Sequence, residues 1–329
     1  MVLFLILSAV FLCLVLALVP HLVFVIVWVV GKIAHVAVPY RWFGYSALVL
    51  VVLCLLLLAY GYFVGRYRQV VKEVTFEHHD VPASFDGYRL VHISDLHVSS
   101  FKQNPANLQR VVDKINTLQP DMVCFTGDMV SFTADELPPY INVLQLLKAK
   151  DGIFAVLGNH DYATYVREFS AAQKQQSVDQ LISLERDSLG WQLLLNESAQ
   201  IVRGNDTLSV IGCENHSCSG NGISPIKRGR LDDAMSGTSG FRILLTHDPT
   251  HWRGEVLGKD IPLTLSGHTH AAQFRIFGWT PARWIYPECD GLYTQGDQSL
   301  YVNTGLGCTV PFRIGAPQEI TVITLKHKE

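Results

Sequence analysis

Two long runs of apolar residues dominate the first 65 positions of the chain. From Val2 to Val30 the only notable polar side chains are Ser8 and His21, and from Tyr45 to Val64 there are almost none. Each run reaches the length of about 20 residues that a helix needs to cross the hydrocarbon core of a bilayer. The pattern therefore predicts a multi-pass anchor in the cell membrane, formed by a hairpin of two helices.

The first run is longer than one crossing requires and contains Pro20 and His21. This favours either one tilted or kinked helix or a pair of short re-entrant helices. A secretory signal peptide has a shorter apolar region, a basic start and a small-residue cleavage site, and the run does not fit that description.

The orientation of the anchor rests on a small difference in positive charge. The loop between the runs holds Lys32 and Arg41, whereas Arg66, Arg68 and Lys72 follow the second run. Because positive residues concentrate on the cytoplasmic side, three against two favours a cytoplasmic location for the rest of the chain. An extracytoplasmic location is the alternative.

After about residue 70 the apolar spacing changes to that of a globular α/β domain. We divide the chain into a membrane anchor at residues 1–70 and a globular domain at residues 71–329. Val71–Phe76 alternates as an edge strand does. The next elements are a strand at Tyr88–Ser94, a helix at Asn107–Leu118, a strand at Met122–Thr126, a helix at Leu137–Lys148 and a strand at Gly152–Leu157. This alternation predicts a parallel sheet with helices outside it.

The second half of the globular domain favours strands separated by short Gly, Asn or Asp turns. A helix from Val178 to Glu185 is followed by strands at Trp191–Leu195, Ala199–Arg203, Leu208–Cys213, Phe241–Thr246, Ile261–Ser266, Leu300–Asn303 and Glu319–Leu325. This pattern is typical of a second sheet. The predicted architecture is a sandwich of two sheets with flanking helices.

Charge and cysteine content narrow the functional classes. The formal net charge is −3, without the clustered excess of Lys and Arg that marks a nucleic-acid groove, so we expect no nucleic-acid partner. The seven cysteines are odd in number and scattered, and they indicate neither a disulfide framework nor a zinc-binding Cys pair.

Five short polar motifs stand where predicted strands end. They are Asp95-Leu-His97, Gly127-Asp128, Gly158-Asn-His-Asp161, Thr246-His247-Asp248 and Gly267-His-Thr-His270. Strand ends of a parallel sheet are where ligand-binding side chains converge. Singly, most of these motifs are as typical of ordinary turns; together they supply seven candidate ligands: Asp95, His97, Asp128, Asn159, His247, His268 and His270.

Carboxylate, imidazole and amide donors suit hard or borderline divalent metals rather than soft copper or iron–sulfur centres. If one carboxylate bridges two ions about 3.5–4 Å apart, the pair can hold a hydroxide and neutralise a phosphoryl group during in-line attack. The motif set therefore predicts two divalent metal ions and phosphoryl chemistry.

The order of the five motifs resembles that of the calcineurin-like metallophosphoesterases. The segments Leu300–Gly307 and Phe312–Pro317 are similar to the closing segment of the bacterial membrane-tethered branch of this family. The resemblance covers about Tyr88 to Leu325. It implies an α/β fold with four layers, an α/β/β/α sandwich, following the transmembrane hairpin.

The resemblance also implies a role for each candidate residue. Asp95, His97 and His270 would hold one metal, Asn159, His247 and His268 would hold the other, and Asp128 would bridge them. His160 would be the catalytic residue, contacting the phosphate and protonating the leaving oxygen. The metals of the family are commonly manganese, iron or zinc, and the sequence does not choose among them.

Two positions depart from the family pattern. Many members have a further Asp three residues after the bridging Asp, where this chain has Ser131. The chain either lacks this outer carboxylate or supplies it from Asp135 or Glu136. After His270 the chain has Ala271 and Ala272 in place of two glycines, and the added methyl groups are expected to narrow that edge of the pocket.

Three other residues lie outside the proposed ligand set. His92 is expected to be packed in its strand, and His251 is expected on a loop surface or at the rim of a substrate pocket. Arg313 fits either a phosphate contact or a structural ion pair.

The function expected from the sequence is hydrolysis of a phosphodiester, phosphomonoester or pyrophosphate bond. The hairpin keeps the site near the bilayer, which favours a phosphorylated small molecule linked to a lipid. A catalytically weak or inactive metal-binding scaffold is the alternative. A transporter is disfavoured because two helices without intramembrane charges provide no pathway.

Overall fold

The computed structural model describes residues 2–218 and 226–328. The chain divides into two compact units, Met1–Gly65 and Arg66–Glu329.

The first unit consists of two helices, α1 (Val2–Ile33) and α2 (Arg41–Phe63), which pack against each other. Helix α1 continues through Pro20, so the alternative of two short re-entrant helices is wrong. The segments Ala9–Ile33 and Arg41–Tyr67 are long and apolar enough to cross a membrane. Within an apolar stretch of 18 residues in each segment only 6% and 11% of the residues are buried, so most of this apolar surface is not covered by the described part of the chain.

The second unit contains strands and short helices in mixed order. The helices are α3 (Pro105–Thr117), α4 (Ile141–Leu144), α5 (Ala171–Ser183) and α6 (Leu231–Met235). The strands are β1 (Gln69–His78), β2 (Arg89–Ile93), β3 (Met122–Phe125), β4 (Ile153–Ala155), β5 (Gln192–Leu193), β6 (Glu197–Arg203), β7 (Asp206–Gly212), β8 (Phe241–Leu245), β9 (Leu263–Ser266), β10 (Gly291–Gln295), β11 (Gln298–Val302) and β12 (Gln318–His327).

These strands form two six-stranded sheets. The first has the order β1-β12-β2-β3-β4-β5, and the second has the order β10-β11-β9-β8-β7-β6. In the first sheet β2, β3, β4 and β5 are parallel, as are β7, β8, β9 and β11 in the second. Two parallel series therefore each direct their carboxyl ends, and the loops that follow, toward one edge.

The alternation of side chains along the strands builds the layers. In β2, Leu90 packs between the two sheets, whereas Val91 and Ile93 pack under helices α3 and α5. On the far side of the second sheet, Leu244 and Trp252 form a separate cluster with α6 residues. The four-layer α/β/β/α sandwich implied by the family resemblance is confirmed.

Several predicted elements differ in extent. The helix predicted at Leu137–Lys148 is reduced to α4 and neighbouring turns, because Pro138 and Pro139 disfavour a regular helix where it would begin. Helix α5 begins earlier than predicted, at Ala171, after Ser170 and Gln173 form a reciprocal cap. Strand β10 was not predicted.

Replacing Ile243 by Ala tests the core between the sheets. Its side chain is fully buried on β8, so its truncation is expected to lower the free energy of unfolding by about 2–5 kcal/mol. Val202→Ala is the control, since this β6 side chain is 62% exposed and its loss should change stability by no more than about 0.5 kcal/mol. Thermal or urea unfolding of the detergent-purified chain measures both; equal losses would contradict the assigned core.

Candidate metal centre

The loops after five parallel strands carry the residues singled out by the motifs. Asp95 follows β2, Asp128 follows β3, and Asn159 follows β4, all in the first sheet. His247 follows β8, and His268 and His270 follow β9, in the second sheet. The two sheets are joined at this edge, since the backbone N–H of His268 donates to both Asp95 carboxylate oxygens at 3.2 and 3.0 Å.

The backbone in these loops is held in an unusual conformation. Positive φ angles, which only glycine adopts freely, occur at Asp95, His97, Asp128, His268 and His270. Each such residue costs of order 1–3 kcal/mol, and clusters of them are typical of functional sites.

Close approach of two loops explains the glycine in two motifs. A Cβ atom on Gly127 would lie 2.4 Å from the backbone nitrogen of Gly158, and one on Gly158 would lie 2.2 Å from Asp128 Oδ1. Any side chain at either position would push Asn159 away from the Asp128 carboxylate.

One group of donor atoms lies on one side of Asp128. His97 Nε2 is 3.2 Å from His270 Nε2 and 3.5 Å from Asp128 Oδ2. His270 Nε2 is 3.3 Å from Asp95 Oδ1. All four side chains are buried.

A second group lies on the other side of the same carboxylate. His247 Nε2 is 3.2 Å from Asp128 Oδ2, 3.0 Å from Asn159 Oδ1 and 3.2 Å from His268 Nδ1. The amide of Asn159 is oriented by Tyr165, whose hydroxyl accepts a hydrogen bond from Nδ2 at 2.7 Å. The Asn159 oxygen is thereby turned toward the histidines.

The second ring nitrogen of His247 fixes its protonation pattern. Nδ1 lies 2.6 Å from the carbonyl oxygen of Thr126, so this nitrogen carries the proton, because a carbonyl can only accept. In the neutral ring Nε2 then presents a lone pair to the oxygens of Asn159 and Asp128. Acceptors facing acceptors at this distance are favourable only with positive charge between them, either a proton on Nε2 or a metal ion.

Burial and charge set the protonation states of the cluster. Burial lowers the pKa of His97 to about 3 and that of His268 to about 4, so both rings stay neutral at neutral pH. Burial alone would raise the pKa of Asp128, but the rings of His247 and His160 hold it well below its usual range. Burial opposes protonation of His247, yet the Asp128 carboxylate raises its pKa to about 10. The cluster thus attracts positive charge, and neutral imidazoles with an ionised carboxylate are the forms that bind metals.

His160 lies beside this cluster rather than within it. Its backbone N–H donates to Asp128 Oδ1 at 2.8 Å, and its Nδ1 donates to the carbonyl oxygen of Ser131 at 2.7 Å. The ring stacks on Tyr165 with centroids 4.3 Å apart. His160 lines a cavity of about 230 Å³ that opens onto the cluster, where a bound molecule can reach the ring.

The hydroxyl of Ser131 occupies the position where many family members have a carboxylate. Ser131 Oγ lies 3.2 Å from His97 Nδ1 and 3.0 Å from Ser99 Oγ. Neither suggested substitute acts here: Glu136 accepts from the backbone of Ser131 and Phe132, and Asp135 bonds to Gln180. The outer carboxylate is replaced by a hydroxyl.

The Ala271 and Ala272 pair has strained backbone in place of the flexible glycines. Both residues have positive φ, at 49° and 51°. Ala272 lines the cavity, where its methyl group takes up space as expected, whereas Ala271 is fully buried.

Asp161 supports the centre without joining it. Its carboxylate accepts backbone hydrogen bonds from Asp128, Val130 and Gly158 at 2.8, 3.1 and 2.8 Å. Burial, with the nearby Asp128 charge, raises the pKa of Asp161 to about 7. The sequence placed Asp161 in a motif but gave no sign that it ties two loops together.

Other residues have positions that sequence reasoning missed or misjudged. Arg313 is fully buried and donates to backbone carbonyls, including those of Gly305 and Gly307, so neither expected role is correct. His251 is fully buried, so its expected exposure is wrong. The Tyr286 hydroxyl lies 2.8 Å from His268 Nε2, a contact with no sequence signal.

Comparison with known proteins identifies the family. The profile of the calcineurin-like phosphoesterases matches residues 88–272, more than half of the chain. The chain is 32% identical over 280 residues to the Bacillus subtilis protein YkuE, described as an uncharacterized metallophosphoesterase, covering 81% of this chain and 90% of YkuE.

Two further relatives are a transmembrane protein and a pyrophosphatase. A Danio rerio transmembrane protein with a metallophosphoesterase domain is 30% identical over 312 residues, covering 90% of this chain and 66% of the relative. The UDP-2,3-diacylglucosamine pyrophosphatase LpxG of Chlamydia trachomatis is 30% identical over 291 residues, covering 73% of this chain and 84% of LpxG. With its two apolar helices, this chain is a membrane protein. It belongs to the calcineurin-like phosphoesterases, a family of metal-dependent hydrolases of phosphoester bonds.

Proposed function

We propose that the chain hydrolyses a phosphodiester, phosphomonoester or pyrophosphate bond through a dinuclear metal centre. One ion would bind Asp95, His97 and His270, the other would bind Asn159, His247 and His268, and Asp128 would bridge them. The observation that carries this proposal is the convergence of lone pairs on both sides of Asp128 Oδ2, at 3.5 Å from His97 and 3.2 Å from His247.

The donor set fits two divalent ions of the manganese, iron or zinc class. When bound, such ions neutralise charge on a phosphoryl group and lower the pKa of a water molecule. The protein fixes the positions of the ligands. The Thr126 carbonyl orients the His247 ring, and the Tyr165 hydroxyl orients the Asn159 amide.

His160 is proposed to act on the substrate. With Nδ1 held by the Ser131 carbonyl, Nε2 is the nitrogen that can donate to a phosphoryl oxygen and pass a proton to the leaving oxygen. Stacking on Tyr165 keeps the ring at the cavity wall.

We further propose that the substrate is linked to a lipid. The relative LpxG is named for a diacylated nucleotide sugar. In this chain, five exposed apolar side chains follow the cavity-lining residues, and we call them the aromatic patch: Ile276, Phe277, Trp279, Trp284 and Ile285. Phe277 is fully exposed and Trp284 is 78% exposed. Such a patch suits acyl chains or the bilayer surface.

The aromatic patch is connected to the cavity by a short path. Thr280, between Trp279 and Trp284, donates from its hydroxyl to the carbonyl oxygen of Ala271 at 2.6 Å. Ala272, the next residue, lines the cavity. We place both apolar helices across the membrane as a multi-pass anchor, and the positive residues after the second helix favour a cytoplasmic catalytic unit.

Replacing Asp128 and His160 separately tests the mechanism. On a soluble aryl phosphodiester with Mn²⁺, Asp128→Ala is expected to lose activity together with bound metal. His160→Ala is expected to keep its metal and lose about 10²–10⁴-fold in kcat, the usual contribution of a proton-transfer group.

His79→Ala is the matched control, because this histidine is 61% exposed and belongs to the strand-end turn after β1. It should leave kcat unchanged. Equal rates for all three variants and the unaltered chain would discard the mechanism, and rates at the uncatalysed background in all four would favour the inactive scaffold.

Replacing Ser131 tests whether its hydroxyl orients His97. Ser131→Ala removes the partner of Nδ1 and is expected to weaken metal binding about 10–100-fold, as loss of a residue behind a ligand commonly does. Ser131→Asp restores a hydrogen-bond acceptor and should bind at least as well as the unaltered chain. Metal titration followed by activity recovery measures the affinity, with Ser84→Ala in an exposed turn as control. Unchanged affinity in Ser131→Ala would disprove the role.

Replacing the two most exposed residues of the aromatic patch tests the lipid-linked substrate. Phe277→Ser with Trp284→Ser is expected to lower turnover of diacylated substrates in vesicles at least tenfold, because the patch no longer takes up apolar surface. Turnover of the soluble aryl phosphodiester should not change. Leu292→Ser, on β10 and 45% exposed, is the control. Parallel losses on both substrates would refute the lipid role.

A further inference from the structure

A second group of metal-binding side chains lies outside the centre described above. His216, in the loop after β7, lies beside His251 and Glu255, which follow β8. His216 Nε2 is 3.2 Å from one Glu255 carboxylate oxygen, and His251 Nε2 is 3.3 Å from the other. We propose that these three residues bind one divalent transition-metal ion, with Zn²⁺ best matched to the donors.

The separations agree with coordination to a single ion. Two atoms bound to a tetrahedral zinc at about 2.0–2.1 Å lie about 3.3 Å apart. The two nitrogen–oxygen distances are 3.2 and 3.3 Å, and all three ligand atoms lie within 4.8 Å of one another. Two imidazoles and a carboxylate are a recurrent zinc ligand set that leaves a fourth position for water.

The far side of each ring is already held. His216 Nδ1 donates to the carbonyl oxygen of Gly229 at 3.0 Å, and His251 Nδ1 lies 2.9 Å from the hydroxyl oxygen of Thr246. Ligating histidines are generally fixed in this manner, with the other ring nitrogen bonded to a backbone or side-chain oxygen. Both Nε2 atoms are therefore directed to Glu255.

The ring geometry repeats that of the centre proposed for catalysis. The rings of His216 and His251 stack with centroids 4.9 Å apart and planes at 22°. The corresponding values for His97 and His270 are 5.1 Å and 28°. The described residues include one more stacked pair beside a carboxylate, His78 and His79 with Asp80, but its centroids are closer, at 4.3 Å, and the His79 side chain is 61% exposed.

An ion can reach this site from solvent. His251 is fully buried and the His216 side chain is 12% exposed, whereas Glu255 is 42% exposed. Glu255 also lines a surface cavity of about 540 Å³. The two histidines supply donor atoms that are already in position, and an ion from solvent can reach them past the exposed Glu255 carboxylate.

A metal here would connect two loops near the catalytic edge. His251 stands four residues after His247, and Asp248 between them lies 3.8 Å from His268. Binding would fix the loop that carries His216 to the turn that begins at His251. The inferred ion is structural, and it would hold in place the segment that carries His247, a proposed ligand of the catalytic centre.

The experiment counts ions in the full chain purified in detergent. His97→Ala, Asp128→Ala and His247→Ala together, the triple variant, leave neither half of the catalytic centre with more than two ligands, so after Zn²⁺ loading and dialysis the remaining ion reports the second site. We expect about one Zn²⁺ per chain, lost when Glu255→Gln or His216→Ala is added. With Co²⁺ in place of Zn²⁺, visible absorption bands should appear in the triple variant and vanish with Glu255→Gln.

A second measurement counts the ions bound to the chain with its catalytic centre intact. Glu255→Gln should remove one ion from the total, whatever that total is, whereas His79→Ala, at an exposed side chain of the turn after β1, should remove none. If the triple variant, shown to be folded by circular dichroism, retains no ion, the proposal is overturned. It is also overturned if folded chains carrying Glu255→Gln and His216→Ala keep the ion.

Discussion

The arrangement of unprotonated donors around the Asp128 carboxylate is the constraint on which the rest of the site depends. His247 is fixed by the Thr126 carbonyl, Asn159 by Tyr165, and His97 by Ser131, and in each case the metal-binding atom faces inward. An inward-facing set of acceptors is unfavourable unless positive charge occupies its centre. The protein therefore holds these residues in an arrangement that needs positive charge at its centre, a proton on His247 or a metal ion.

That unfavourable state is maintained by the two sheets. Loops from both sheets meet at one edge, and backbone-to-carboxylate hydrogen bonds from His268 to Asp95 and from Asp128 to Asp161 join them. The buried side chains between the sheets keep the loops from separating, and this packing offsets the positive-φ strain at the strand ends. Fold stability and site geometry are thus linked through the strands that carry the ligands.

The sequence predicted the parts of this structure that have local signals. Strand ends followed by paired polar residues located the candidate ligands, and alternating apolar residues located most strands, since both patterns are read within a few positions. The short α4 was mispredicted because apolar spacing continued past Pro138, whose effect on the backbone outweighed the spacing.

Residues that act across the fold left no such signal. Tyr286 contacts His268 from 18 positions away, and Arg313 reaches the carbonyls near Gly305 only after the closing loop folds back. At Ser131 the motif suggested only that a carboxylate was missing. In the structure the Ser131 hydroxyl lies next to His97 and takes the place of that carboxylate. The role of a supporting residue depends on the side chains that it contacts, and those contacts form only in the folded chain.

The boundary of the family match separates the proposed catalytic residues from the surface proposed to bind the lipid-linked substrate. The matched region ends at residue 272, at the wall of the cavity, and the aromatic patch begins four residues later at Ile276. All proposed ligands and His160 lie before that boundary, so phosphoester hydrolysis belongs to the part of the chain that resembles the family. Exposed Phe277 and Trp284 lie beyond it, on a segment bonded to the cavity wall through Thr280. A change in substrate can therefore arise in this segment without any change in the metal ligands.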